Sequence, residues 1–311
     1  FYGDFRLGGP FGIIGGFNDR LGWATTNNYP DLDEIYAFDV DPERPDHYLL
    51  DGASVPIERR TVTVEFRNGP GLGRETREFL TTPFGPVFHR ANGKVYVLRT
   101  AFHGDFRRGE QFLRMMQARD LEEWKEAMRM RAHPSSNFTY ADADGNIFYV
   151  WNATVTRLPH ASGGDTSAVA VATTDEIGLR PVDWDSLPQL LNPTGGYLHN
   201  ENDEFHYTSL DAVFDPGDFP DHYPEPRLRL RSQHSIQLIA DGRHSLEDVV
   251  ELKHSMRMLL ADRVKDDLVA AVRATSPTGE VAEAIDLIAR WDNTVARDSR
   301  GGVLFKTWWW R

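Results

Sequence analysis

Apolar residues recur along this chain in two rhythms, and the change from one to the other divides it. In the first part the period is two. Thr61-Val62-Thr63-Val64-Glu65-Phe66 alternates as a half-buried strand does, and Lys94-Val95-Tyr96-Val97-Leu98 follows an Ala-Asn-Gly turn. Asn137-Phe138-Thr139-Tyr140 and Ile147-Phe148-Tyr149-Val150-Trp151 flank Asp142-Ala143-Asp144-Gly145-Asn146, and Asp-Gly between such runs predicts a hairpin. A glycine-rich stretch, Gly8 to Gly16, leads into Leu21-Gly22-Trp23-Ala24-Thr25-Thr26. Two short helices interrupt the strands. One spans about Glu110 to Ala118; the other starts behind Asp120, with Glu123 completing a capping-box pattern, and runs to about Arg131.

Residues 155–225 carry scattered Pro and Gly and read as loops. After Arg231 the period lengthens. Ser245 with Asp248 starts a helix whose apolar residues Val249, Leu252, Met256, Leu259, Leu260, Val264, Leu268 and Val272 fall at helical spacing, and another runs from about Val281 to Trp291. The pattern predicts an α+β protein, strands first and helices last, with a strand-built region over residues 1–234 and a helical one over 235–311.

Composition changes this picture little. With 311 residues, 40% of them hydrophobic and 26% charged, the chain holds enough apolar material for a large core. A formal net charge of −13 argues against nucleic acid as a partner, because phosphate binding needs clustered Lys and Arg. No uncharged apolar run approaches membrane-spanning length. There is no cysteine, which removes thiol nucleophiles, zinc–thiolate sites and disulfides but leaves the compartment open. Phe1 to Phe5 reads like the middle of a strand, and Leu304 to Arg311 is an aromatic cluster that further chain would normally cover.

Several motifs have bland readings. Gly9 to Gly16 contains GxxGxxG, but Pro10 interrupts it and no helix follows, so a close-packed turn is expected. Asp142 to Asn146 begins like a calcium loop without the closing acid, which leaves the hairpin turn. His199 and His206 flank an acidic stretch and suggest either a metal site or ordinary polar surface, the second being expected. Asp31-Leu32-Asp33-Glu34 is a calcium-binding segment or a solvated turn. No GxSxG or SxxK is present, so the residues themselves offer no evident nucleophile. Asn200 and Asn202 stand at alternate positions; in an extended stretch both would face one side, where an amide could stabilise an oxyanion. The competing reading is an Asx-turn.

Taken in order, these segments resemble the β-subunit of the penicillin acylase family, the N-terminal-nucleophile hydrolases that include penicillin, cephalosporin and acyl-homoserine-lactone acylases. The resemblance rests on Gly16-Phe17-Asn18-Asp19-Arg20-Leu21-Gly22-Trp23, Pro30-Asp31-Leu32-Asp33-Glu34, Thr82-Pro83-Phe84-Gly85-Pro86-Val87, the hairpin from Asn137, Asn192-Pro193 with Gly196-Tyr197 through Asn202, and Arg227 to Gln237. It covers about residues 10–240, with a weaker fit beyond. Phe17 and Phe84 stand where the family usually has His.

The resemblance implies an αββα four-layer sandwich followed by a helical region, and an internal piece of the subunit. It implies a Ser nucleophile a few dozen residues before Phe1, freed by autocatalytic cleavage, whose own α-amine acts as general base. Carried over by position, the oxyanion hole would be the Asn202 side chain and the Asn27 backbone N–H, with Arg231 orienting the Asn and the amine. Asp31, Asp33 (through its carbonyl) and Glu34 fall on the calcium ligands of some members; no cofactor is required otherwise. Acyl-pocket positions fall on Gly15, Tyr29, Phe112 and Ser136. Gly15 stands where phenylacetyl-preferring members carry a bulky aromatic, which favours a longer or bulkier acyl group. The implied partners are a small acylated amine and an α-subunit cut from the same precursor, with no nucleic acid or membrane, and the implied compartment is the periplasm or the exterior. The alternatives are a non-catalytic relative that binds acylated ligands, and an inert fragment.

Overall fold

The computed structural model describes residues 2–5, 13–158, 167–240 and 242–311. Gly9 and Gly12 of the glycine motif, and residues 159–166 of the loop-rich stretch, lie outside them. The chain forms two compact units, Phe1–Arg227 and Leu228–Arg311.

The first unit holds two sheets. One contains, in spatial order, β1 (Tyr2–Phe5), β2 (Ile13–Phe17), β3 (Leu21–Thr26), β11 (Ser135–Asp142), β12 (Ile147–Ala153) and β14 (Gln189–Leu191). The other runs β6 (Ala53–Pro56), β5 (Arg44–Leu50), β4 (Asp33–Asp41), β10 (Lys94–Thr100), β9 (Gly85–Ala91), β8 (Gly71–Thr82) and β7 (Glu58–Asn68), with β13 (Val169–Val171) parallel to β4. All other strand pairings among the described residues are antiparallel, and those between consecutive strands such as β9–β10 and β11–β12 close through short turns.

Register decides which residues face the first unit's main core. Tyr140 pairs with Trp23 and with Phe148, and all three turn toward α1 (Arg108–Gln117) and α2 (Leu121–Arg129). Trp124 of α2 fills the centre of that face, its ring 5.8 Å from Phe138, 5.3 Å from Tyr140 and 6.2 Å from Phe148. Asp120 caps α2 as expected, its carboxylate accepting the Glu123 N–H at 2.9 Å. The Glu123 side chain, however, takes the Arg119 N–H and not that of the cap residue. The other face of the same sheet carries Asn137, paired with Trp151. Trp151 packs on Phe205 at 5.5 Å and Tyr223 at 5.1 Å, so the loops after residue 196 close over this side. The expected hairpin forms, and the Asp142 carboxylate is spent inside its turn on the N–H groups of Asp144 and Asn146.

Two further sequence expectations need correction. Residues 61–66 do form a strand, but β7 and β8 make a long hairpin whose residues are almost all exposed. Alternation puts Val62, Val64 and Phe66 on one face, where Val62 is partly buried but Val64 and Phe66 are exposed; cross-strand pairs such as Glu65–Arg74 and Thr63–Thr76 hold the arm. The long helix from Ser245 is two helices, α4 (Leu246–Lys253) and α5 (Leu259–Ala274). Between them the backbone bonds sideways: the Met258 N–H donates to Asn293 O and Met256 O accepts from the Val295 N–H, each at 2.8 Å. Spacing alone cannot see such a lateral bridge. α5 packs with α6 (Gly279–Arg290) and α7 (Arg300–Trp309) around a core of Ala261, Ile285, Ile288, Trp291 and Phe305, and α3 (Leu230–Ile239) contacts α5. In the terminal aromatic cluster, Phe305 is buried while Trp308, Trp309 and Trp310 are exposed.

Candidate active site

Three distant segments meet on the Asn137 face of the first sheet. The first is the end of β3, where Thr26 is the last residue in register with β11 and Asn27 lies just beyond the ladder. The second is Asn137 itself. The third is the loop around Asn200 and Asn202. The Asn202 side-chain amide donates to the Asn27 carbonyl at 3.1 Å, across 175 residues of sequence. A carbonyl can only accept, so this contact orients the amide nitrogen toward Asn27.

The loop is not the extended stretch that alternate spacing suggests. Asn202 sits at φ 69°, in the left-handed region that Asn tolerates better than most residues. Its N–H donates to Asn200 Oδ1 at 2.9 Å, which is an Asx-turn. The Asx-turn reading therefore holds, with Asn200 making the turn; the extended, same-side reading does not, and Asn202 reaches the neighbouring strand end from within that turn. Asn200 Oδ1 also accepts from the Thr26 hydroxyl, and from Asn137 Nδ2 at 3.0 Å. Sequence reasoning did not single out Asn137, Thr26 or Tyr149. The one available signal was an Asn inside a strand otherwise built of aromatic and β-branched residues, where Asn is depleted.

The remaining candidates scatter. Gly16 pairs with Trp23, so alternation puts Gly15 on the opposite face, the one that carries Asn137. A Cβ on Gly15 would stand 3.3 Å from an Asp4 carboxylate oxygen and 3.4 Å from Trp23 O, and Asp4 accepts the Gly15 N–H. Tyr29 is exposed. Phe112 and Ser136 lie on the helix-covered face. There the Ser136 hydroxyl meets His133 Nε2 at 2.8 Å, and the His133 ring stands edge-on to Phe112 and Phe138. This Ser–His pair is buried in the core, on the face away from Asn202. Arg231 belongs to α3 of the second unit.

His199 and His206 are buried, contrary to the expected surface role. His199 Nδ1 faces Glu201 at 3.0 Å, while His206 stacks on Phe205 at 4.1 Å. Burial pushes the His206 imidazole down to about 4. Asp33 and Glu34 are neighbours on β4 and face opposite sides, Asp33 exposed and Glu34 buried with Oε1 accepting the Ile35 N–H. Partial burial, and then the Asp31 charge, raise the Asp33 pKa. Among the described residues no three His, Cys, Asp or Glu side chains gather to hold a metal ion. The calcium set that the resemblance implies draws on the Asp31 and Glu34 side chains and the Asp33 carbonyl, not on three side chains.

The family model described as penicillin amidase matches residues 2–311. The chain belongs to that family. An acyl-homoserine lactone acylase PvdQ of Pseudomonas fluorescens (strain Pf0-1) is 25% identical over 93% of this chain and 40% of its own length. Aculeacin-A acylase of Actinoplanes utahensis is 26% identical over 93% of this chain and 42% of itself. Penicillin G acylase of Escherichia coli is 27% identical over 61% of this chain and 22% of itself. The chain thus spans less than half the length of each of these relatives. A solved thermostable penicillin G acylase from Alcaligenes faecalis superposes with a TM-score of 0.68 over 98% of this chain and 54% of that one, at 21% identity. That likeness establishes the fold, and the α+β arrangement of two sheets and helices is that of the penicillin amidase family.

Proposed function

We propose that the protein of which these residues are part is an amide hydrolase that releases an acyl chain from an amine-bearing core, of the β-lactam or acyl-homoserine-lactone type. The observation that carries this reading is the 3.1 Å contact between the Asn202 amide and the Asn27 carbonyl, which holds a neutral side-chain donor beside a strand-end peptide. Such a pair suits a negative charge that develops only during the reaction, and each donor contributes about 3 kcal/mol in comparable sites.

The nucleophile is an N-terminal Ser supplied by polypeptide outside residues 1–311. Its α-amine, a group that ordinarily titrates near neutrality, takes the hydroxyl proton as the oxygen attacks the amide carbon. The carbonyl oxygen becomes an oxyanion, stabilised by the Asn27 N–H and the Asn202 side chain. Collapse breaks the C–N bond, the ammonium returns the proton to the leaving amine, and the acyl group stays on the Ser as an ester. Water then hydrolyses the ester by the same route. By resemblance alone, the role of orienting the Asn and the amine falls to Arg231. On the acyl side, Gly15 stands where the resemblance puts a bulky aromatic in phenylacetyl-preferring members, which supports a longer or bulkier group than phenylacetyl. An α-subunit from the same precursor and export from the cytoplasm complete the proposal.

N-terminal sequencing of the mature chain from the full-length gene product tests it. A start at Ser, Thr or Cys upstream of Phe1, together with hydrolysis of acyl amides, supports the hydrolase. An uncleaved chain, or a start lacking a hydroxyl or thiol, replaces it with a relative that only binds acylated ligands.

A further inference from the structure

Asn137 occupies an unusual place for an amide. It lies on a central strand of the first sheet, 1% exposed, and its cross-strand neighbour is Trp151. An apolar side chain would meet the packing requirement there, and a buried amide destabilises unless both of its ends are satisfied. Here both are. The Tyr149 phenol, fully buried, donates to Asn137 Oδ1 at 2.6 Å. Asn137 Nδ2 faces three acceptors, Thr26 Oγ1 at 3.1 Å, Asn27 O at 3.2 Å and Asn200 Oδ1 at 3.0 Å. Since Asn27 O can only accept, the amide cannot be turned the other way round.

These acceptors belong to the two segments that carry the oxyanion donors. Asn27 O also receives the Asn202 amide, and Asn200 Oδ1 also receives the Asn202 N–H. We propose that Asn137, held from the core by the Tyr149 phenol, is a positioning residue for amide hydrolysis, fixing the Asn27 peptide and the Asn200–Asn202 turn so that both oxyanion donors converge. The inference rests on the hydrolase reading above. The chain of contacts is polar from end to end and starts in a fully packed core, so it transmits the rigidity of the sheet to a loop that has no strand partners of its own. Burial raises the Tyr149 pKa, so the phenol keeps its proton, and the strut its donor, near neutral pH.

Tyr149→Phe removes the O–H that holds Asn137 Oδ1 from the core, and with it the hydroxyl's contact with Thr208, without changing the ring. In the processed full-length product, turnover of an acyl anilide should fall about tenfold with KM within about twofold, since one neutral hydrogen bond is lost to positioning and none to substrate binding. Affinity for an acyl aldehyde, which forms a tetrahedral adduct, should fall in parallel, while affinity for the free fatty acid should not. A purely structural role would lower the melting temperature and leave the kcat to KM split and the aldehyde to acid ratio unmoved, and that result overturns the proposal. Thr26→Val is the second variant, cutting the Asn137–Thr26–Asn200 link from a partly exposed side; kcat within about twofold of the wild type there also overturns it. A wild-type protein that hydrolyses no acyl amide sinks the hydrolase reading itself, which separates the two failures.

Discussion

The buried His206 makes acid stability a quantitative test of how the site loop is packed. Its ring lies against Phe205 at 4.1 Å, is 1% exposed, and its Nδ1 has no partner among the described residues. Protonation would place an unpaired charge in that environment, and burial holds the folded pKa at about 4 against 6.5 for an exposed imidazole. The folded value is the lower one, so between these limits the unfolded chain binds more protons and stability rises with pH. The full contribution is present above pH 6.5 and is lost as pH falls toward 4. The total is roughly 3 kcal/mol, of which about 1.4 kcal/mol is gone by about pH 5.5. Urea unfolding of the full-length product at about pH 7.5, 6.5, 5.5 and 4.5, beside a His206→Gln variant, isolates the contribution from all other titrating groups. The wild type should lose about 1.4 kcal/mol more than the variant between about pH 7.5 and 5.5. Equal losses in both proteins would refute the argument, whatever the absolute stability of the variant.

Other outcomes follow from the same geometry. Asn202→Ala removes the proposed side-chain oxyanion donor and should lower kcat by about 100- to 1,000-fold with little change in KM, read by steady-state kinetics. Gly15→Phe adds a ring on the face that carries Asn137 and should shift the kcat/KM ratio of long-chain to phenylacetyl amides toward phenylacetyl; an unchanged ratio removes Gly15 from the acyl pocket. Asp120→Ala leaves the Glu123 N–H without its acceptor and should cost about 1 kcal/mol in denaturant unfolding. Trp124→Ala empties the centre of the helix-covered face and should cost about 3–5 kcal/mol, a loss large enough to show first as reduced soluble yield.

What could be read along the chain was whatever depends on local period and local chemistry. The Asp142–Gly145 turn announced its hairpin because its aromatic and β-branched flanks leave no other way to bury Phe138, Tyr140 and Phe148 together. The Ser245–Asp248 capping box announced α4 for the same kind of reason, since both partners lie within one helical turn. The helix break at His254–Met258 was invisible because its cause is a backbone bridge from Arg257 to Thr294, far along the chain. Exposure of the β7–β8 arm was equally hidden: alternation states which residues share a face, not whether anything lies against it.

The site shows the same division more sharply. Asn27 and Asn202 came from resemblance and meet in the structure, but neither spacing nor composition joins residues 175 apart. Asn137 is the instructive case. Its neighbours predict a core strand, and a polar residue there contradicts the local pattern. That contradiction was the visible trace of the network, because a buried amide persists only where donors and acceptors from other segments satisfy it. Tyr149 carried no such trace, since a tyrosine in an aromatic strand passes for packing until its hydroxyl is followed to Asn137. The residues that bring the candidate oxyanion donors together are thus of two kinds, one that breaks the strand pattern and one that hides inside it, and only the folded structure distinguishes the second from core.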